Sequence, residues 1–395
     1  MALTLNNNTK DRPLCCTMSS CCSTKDGCSA NGQGNGDKIH DEVKEYYGKK
    51  VKTQKDLETK ACLMMPSKIP SHVKQALSAV HPEVAARYYG CGLVVPECLE
   101  GAHVLDLGSG TGHDCFALAK LVGEKGHVTG IDMTDEQLDV AREYVDYHRD
   151  KFGYSKPNTD FVKGYIEKLG EAGLEDSTFD IIVSNCVVNL SPDKAAVLRE
   201  GYRVLKPGGE LYFSDIYADR DVPEHIRKDK VMWGECLAGA LWWEDLVTLA
   251  KEVGFCTPRL VSAGLVNLDD NKPMKDLVGD IKFVSVTYRL FKLPQNTSKE
   301  PAQVVYNGSV TGHETNLKFD ALHTFQEGDV VEVDAELSAI LQESRFADDF
   351  TVRPASKKSK ADPKLCCSGA KGVPTNPFEG PLDKESSSCG PKGCC

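Results

Sequence analysis

No run of apolar residues in this chain of 395 approaches the roughly 18 needed to span a bilayer. The opening stretch, Met1-Ala-Leu-Thr-Leu-Asn-Asn-Asn-Thr-Lys10, lacks the basic and apolar blocks of a secretory signal. A soluble, cytoplasmic protein without a membrane partner is therefore expected. Basic residues are in the minority, 47 Lys and Arg against 58 Asp and Glu. The resulting net charge of −11 argues against the basic stripe of a general nucleic-acid surface. No internal repeat is visible. Small-molecule partners fit these absences better, and a monomer is expected. With 41% hydrophobic residues, the chain can build one large or two medium domains around a real core.

Cysteine is abundant but does not form a disulfide framework. The 17 cysteines are odd in number and irregularly spaced, so thiols in a reducing compartment are expected. Many lie near the ends: Cys15, Cys16, Cys21, Cys22 and Cys28 on one side, Cys366, Cys367, Cys389, Cys394 and Cys395 on the other. The surrounding segments, Ser19 to Asp37 and Ala355 to Cys395, are rich in Ser, Gly, Lys and Pro, a composition that predicts disorder. Their vicinal cysteines either bind soft metals, feed electrons to core thiols, or belong to minor exposed tails.

A ligand site is announced by His103-Val-Leu-Asp-Leu-Gly-Ser-Gly-Thr-Gly112, a strand running into three alternating glycines, then the helical pattern His113 to Val122. Glycines let the chain turn sharply and approach a ligand without a Cβ in the way. A second strand, His127 to Asp132, ends in an acid twenty residues after Gly112, where a carboxylate can accept from both ribose hydroxyls. A dinucleotide fingerprint needs a third glycine where His113 stands. Asp106 would repel phosphates but attract an ammonium or sulfonium. S-adenosylmethionine carries both cations and no phosphate, and no resident metal cofactor is expected. Asp106, Gly108, Ser109, Gly110 and Thr111 are expected to cradle its methionine end, and Asp132 its ribose. The helix beginning near His113 would turn its N-terminus to the methionine carboxylate.

Beyond that motif, strands and helices alternate. Thr134 to Val145 reads as a helix with Thr134 as N-cap and Gln137 completing an approximate capping box. Strands are expected at Asp160 to Gly164, Phe179 to Cys186, Glu210 to Tyr217 and Phe283 to Phe291, and helices at Asp193 to Leu205 and Trp243 to Val253. The pattern predicts an α/β fold, a doubly wound Rossmann-like sheet of the class I methyltransferase kind. Asn307-Gly308, Glu327-Gly328 and alternating Val330 to Val333 predict a small β-rich C-terminal unit. The expected division is a disordered tail 1–40, a cofactor-binding domain 41–218, a substrate-binding region 219–293 completing the sheet, a small domain 294–354 and a second disordered tail 355–395.

Ligands of such sheets bind at the carboxyl ends of the strands. Cys186 stands at one of those ends. Cys236 follows the fifth strand in an aromatic stretch, Val231 to Trp243, and Cys91 precedes the first strand, so three thiols can converge. Any one of them alone reads as a small buried hydrophobe, as Cys98, Cys115 and Cys256 do. Structural zinc would favour local C-x-x-C pairs, and these residues have none. Two other readings stay open. One is a methyltransferase acting on carbon or oxygen of a small organic molecule; the other is a non-catalytic thiol-rich protein that sequesters soft metals.

Six segments carry a closer likeness: Asp56-Leu-Glu-Thr-Lys-Ala-Cys62, His81 to Pro96, Gly123 to Met133, Gly164 to Gly170, Ser184-Asn-Cys-Val-Val-Asn-Leu190 and Trp233 to Leu241. Together they resemble the arsenite methyltransferases of the animal type, from about Tyr46 to about Pro354. The resemblance implies methyl transfer from S-adenosylmethionine to trivalent arsenic held by Cys91, Cys186 and Cys236, giving mono- and dimethylated arsenicals in detoxification. It also implies that Cys62 pairs with Cys91 in a redox cycle reset by thioredoxin or glutathione. With this cofactor, Met133 and Ile166 would flank the adenine, Glu167 would bond its amino group, Asn185 would line the floor near the reacting methyl, and Tyr89 would close over the methionine arm. The chemistry agrees: arsenic(III) is soft and prefers sulfur, and three thiolates leave its lone pair facing outward, toward an electrophilic carbon.

Overall fold

A computed structural model describes residues 33–50, 69–355 and 373–379. Cys62 and the terminal cysteine pairs lie outside the described residues. Three helices, α1 (Gln33–Glu45), α2 (Ser71–Ser78) and α3 (Pro82–Ala86), precede the sheet, and a π-helical turn at Tyr46–Lys50 extends α1.

The strands are β1 (His103–Leu107), β2 (His127–Asp132), β3 (Thr159–Lys163), β4 (Phe179–Asn185), β5 (Leu205–Ala218), β6 (Leu241–Trp242), β7 (Arg259–Leu265) and β8 (Phe283–Phe291). They form one sheet in the order β3-β2-β1-β4-β5-β8-β7, with β6 on the end of β5. All pairs are parallel except β5–β8 and β8–β7. The helices between strands are α4 (His113–Val122), α5 (Asp135–Glu143), α6 (Val145–Phe152), α7 (Lys194–Val204), α8 (Glu224–Arg227), α9 (Lys230–Gly234), α10 (Trp243–Val253) and α11 (Lys272–Val278).

Side chains alternate across a strand, so Val104 and Ile181 pack with Phe116 and Leu118 of α4, whereas Leu105 and Ile182 pack with Leu198 of α7 and Leu246 of α10. Both faces are thereby covered, which is the Rossmann-like class I methyltransferase arrangement. Among the described residues, no helix is long and apolar enough to cross a membrane.

Several local expectations change. Thr134 sits at the N-cap of α5, but its side chain makes no cap hydrogen bond. Gln137 instead donates from Nε2 to the Tyr47 carbonyl at 2.8 Å. α7 ends at Val204, and Lys206-Pro-Gly-Gly209, expected to separate helix from strand, lies inside β5, where a register shift against β4 absorbs the extra residues.

The expected disordered tails also need correction. The first, 1–40, overlaps α1, whose Ile39 and Val43, one turn apart, pack into an apolar cluster despite the glycines around them. In the second, residues 373–379 dock on the sheet: Leu260 donates its N–H to the Pro374 carbonyl at 2.8 Å and the Tyr288 hydroxyl donates to the Thr375 carbonyl at 2.6 Å.

The C-terminal unit holds β9 (Ala302–Tyr306), β10 (Asn316–Lys318), β11 (Thr324–Gln326), β12 (Val330–Val333), α12 (Ala335–Glu343) and β13 (Phe350–Pro354). Buried ion pairs tie it to the sheet. Arg289 of β8 meets Glu210 of β5 at 2.6 Å within the sheet, Glu210 in turn meets Arg345 of the unit at 2.5 Å, and Arg259 of β7 meets Asp320 of the unit at 3.0 Å. Burial alone would raise the Glu210 carboxyl, but Arg289 and Arg345 outweigh it and hold the group below its usual range.

Candidate active site

A cavity opens at the carboxyl ends of β1, β2 and β4. Its walls include Tyr89, Asp106, Gly108, Ser109, Gly110, Thr111, Asp132, Met133, Ile166, Glu167 and Asn185, so every residue expected to contact the cofactor faces one space. The glycine loop makes that space. Gly108 has φ 71°, and a Cβ there would come within 2.5 Å of the Val187 methyls. Gly112, at φ 82°, is the N-cap of α4 and leaves the first N–H groups without a side-chain cap.

Acids stand at both ends of the cavity. Asp132 accepts the N–H groups of Gly110 at 3.0 Å and Thr134 at 2.8 Å. Burial raises the Asp132 carboxyl, against these N–H groups and the further hydrogen bonds from the Thr134 side chain and the Met133 N–H. Asp106 is buried, and burial, reinforced by Asp114, pushes its carboxyl up to about 8. A bound sulfonium or ammonium would return it to the ionised form, so these residues fit S-adenosylmethionine. Asp114, unforeseen in the sequence, accepts from Asn185 Nδ2 at 3.1 Å and pairs with His113 at 2.9 Å. Its position in the first turn after the glycine loop was the available signal. Glu167 already has a partner, the His40 ring at 2.5 Å.

The structure gathers Cys91, Cys186 and Cys236 into one apolar cluster, each less than 5% exposed. Cys91 and Cys186 form a disulfide with their Cα atoms 5.8 Å apart. The loop before β1 lays Cys91 directly over the end of β4; Cys62, the partner that the resemblance implies for Cys91, lies outside the described residues. Cys91 Sγ also lies 3.5 Å from Ser214 Oγ, and Ser285 donates to the Cys91 carbonyl. Cys236 keeps its thiol, which donates to the Cys186 carbonyl at 3.2 Å. Cys186 and Cys236 both adopt left-handed backbone, φ 58° and 62°. Such conformations cost free energy in non-glycine residues and cluster at functional sites.

Asp215 was also missed. One of its carboxylate oxygens lies within 4.8 Å of both Cys91 and Cys186 sulfurs. Burial raises its carboxyl to about 7, against the N–H groups of Asn189 and Ile216 that it accepts. An acid inside the apolar end of β5 was a legible but unused sign. Of the other cysteines, Cys115 donates to Asp106 at 3.2 Å, Cys98 donates to Asp349 at 3.3 Å, and Cys256 is buried.

Comparison with known proteins decides the family. Residues 99–254 match the model of a methyltransferase domain, and residues 299–395 match the arsenite methyltransferase C-terminal domain. The arsenite methyltransferase of Homo sapiens is 52% identical over 364 residues, covering 90% of this chain and 96% of the relative. The chain belongs to the arsenite methyltransferase family. A bacterial arsenite methyltransferase, from Aquipseudomonas alcaligenes, is 50% identical over 79% of this chain and 90% of its own length. The crystal structure of an arsenic(III) S-adenosylmethionine methyltransferase from Chlamydomonas reinhardtii superposes with a TM-score of 0.70 at 45% identity, covering 74% of this chain and 98% of that one. Within this arsenite methyltransferase fold, the cofactor cavity and the cysteine cluster share a wall, because Cys186 lines the cavity and also belongs to the cluster.

Proposed function

We propose that the chain transfers the methyl group of S-adenosylmethionine to arsenic(III) held by Cys91, Cys186 and Cys236, yielding mono- and dimethylated arsenicals. The observation that carries this reading is the double position of Cys186, on the cavity wall and against both partner cysteines. Arsenic can enter only after a dithiol donates two electrons to the Cys91–Cys186 disulfide. The freed thiols, with Cys236, displace the hydroxyls of arsenite as water. In the transfer, the arsenic lone pair forms the new As–C bond as the S–C bond breaks, its electron pair remaining on sulfur as the neutral thioether. The protein's contribution is to hold lone pair, carbon and departing sulfur in line.

Arsenic is then formally pentavalent. A further round needs two electrons, which a pair of thiols supplies by closing to a disulfide. Cys62 and Cys91 form that pair in this reading, with thioredoxin or glutathione resetting it. The cellular role is detoxification by a cytoplasmic monomer without a resident metal ion. The test is to incubate reduced protein with arsenite, S-adenosylmethionine and thioredoxin and to follow arsenic species over time. Monomethylated arsenic should appear first and dimethylated next; unchanged arsenite with full cofactor binding would overturn the proposal.

A further inference from the structure

Residues 36–50 lie across both halves of the site. On the cofactor side, His40 bonds Glu167 at 2.5 Å, Lys44 donates to the Tyr165 hydroxyl at 2.7 Å, and the Tyr47 carbonyl accepts from Gln137. Tyr47 itself lines the cavity. On the cysteine side, the Tyr46 hydroxyl donates to Glu235 at 2.6 Å and the Tyr47 hydroxyl donates to the Gly234 carbonyl at 2.7 Å.

The second set of contacts falls on the residues just before Cys236. Tyr46 is 7% exposed and Glu235 fully buried. Loss of the donor would leave a buried acceptor unpaired, at the full desolvation cost of that group. The Tyr46 ring also rests on the bare face of Gly234, where a Cβ would meet ring carbons at 3.1 Å. Here α9 ends, and the chain passes through Glu235 into the left-handed backbone of Cys236. A residue in that conformation persists only where its surroundings over-determine it.

We propose that Tyr46 and Glu235 are positioning residues: their hydrogen bond transmits the closure of α1 over the cofactor cavity to Cys236, setting its sulfur to complete the arsenic site. The inference rests on the proposed three-thiolate binding of arsenic. The link makes the third sulfur ligand depend on a docked α1. Neither residue touches the methyl donor, so their loss acts on arsenic capture and leaves cofactor binding in place.

The experiment uses the full chain, reduced, with three readouts: S-adenosylmethionine affinity, arsenite KM against kcat, and the number of sulfurs around bound arsenite from X-ray absorption. The parent should show three sulfurs. Tyr46→Phe, which deletes only the donor, should show two, with arsenite KM raised about ten- to a hundredfold and cofactor affinity within about twofold. Gly234→Ala, which crowds the Tyr46 ring, should shift the same quantities in the same direction. Three sulfurs and an unchanged KM in both variants would overturn the link alone. A parallel fall in cofactor affinity, arsenite affinity and melting temperature would make the contact merely structural and also overturn it. Fewer than three sulfurs in the parent would overturn the three-thiolate reading, and the link with it.

Discussion

Asn185 holds Cys91 by its backbone: its Oδ1 accepts the Cys91 N–H at 2.9 Å, while its Nδ2 donates to the Gly92 carbonyl at 2.9 Å. The same amide lines the cofactor cavity and donates to Asp114. One side chain therefore ties the cavity wall to the backbone of Cys91, the first sulfur ligand in the proposed reaction. Asn185→Ala leaves the Cys91 N–H unpaired in a buried site, at a cost of about 1–3 kcal/mol. Misplacement of the reacting groups by about 1 Å should lower the single-turnover methylation rate about a hundredfold. Rapid-quench kinetics and thermal unfolding check both effects; an unchanged rate would show that Cys91 is placed by other contacts.

Asp106 makes cofactor binding depend on pH. Its ligand-free carboxyl, raised by burial to about 8, is mostly protonated near neutrality, whereas a cationic ligand favours the ionised form. Affinity for S-adenosylmethionine should therefore rise with pH from about 6 to about 8, by at most tenfold per unit, and then level off. The stability of the ligand-free protein moves the other way. A carboxyl raised in the fold keeps its proton where the unfolded chain has lost it, so this group's contribution declines as pH climbs from about 4 to about 8. Calorimetric titration across that range should lose its slope in Asp106→Asn.

On the proposed redox role, Cys62 acts only after the first methyl transfer. Cys62→Ser should therefore place one methyl on arsenite but make no dimethylated product from it, while an already methylated trivalent arsenical still accepts its methyl. Product speciation with each substrate checks this. Equal loss on both would remove Cys62 from the redox cycle.

The C-terminal unit is bound to the sheet by charges that cannot be left single. Arg289→Ala leaves Glu210 buried without its main partner and should cost about 3–5 kcal/mol. Truncation at residue 294 also removes Arg345, Asp320 and Asp334, so it should abolish the cooperative unfolding transition. A chain spanning 33–380 keeps these partners and the 373–379 segment docked at Leu260, and should methylate arsenite at close to the full-length rate. Denaturation curves and activity of the three proteins decide the matter.

The glycine loop and its flanking strand and helix were legible because local chemistry alone fixes them: β1, α4 and β2 begin and end where the apolar pattern, the glycines and Asp132 place them. The apolar run at Phe179 likewise marked β4 and put Cys186 at its end. What escaped depends on chain segments far apart in sequence. His40 finds Glu167 across 127 residues, and Tyr46 finds Glu235 across 189. The glycine-rich start of α1 has low helix propensity, so docking of Ile39 and Val43 outweighs composition there. Cys91 was expected to be a site residue, but its disulfide with Cys186 depends on how the loop before β1 crosses the sheet, which no spacing encodes.

The most direct measurement is a single turnover of fully reduced protein with arsenite and S-adenosylmethionine labelled in the methyl group, comparing the parent with Cys186→Ser. The parent should place one labelled methyl on arsenic for each sulfonium consumed, while Cys186→Ser should bind the cofactor with unchanged affinity and transfer nothing. Transfer by Cys186→Ser at the parent rate would contradict the account.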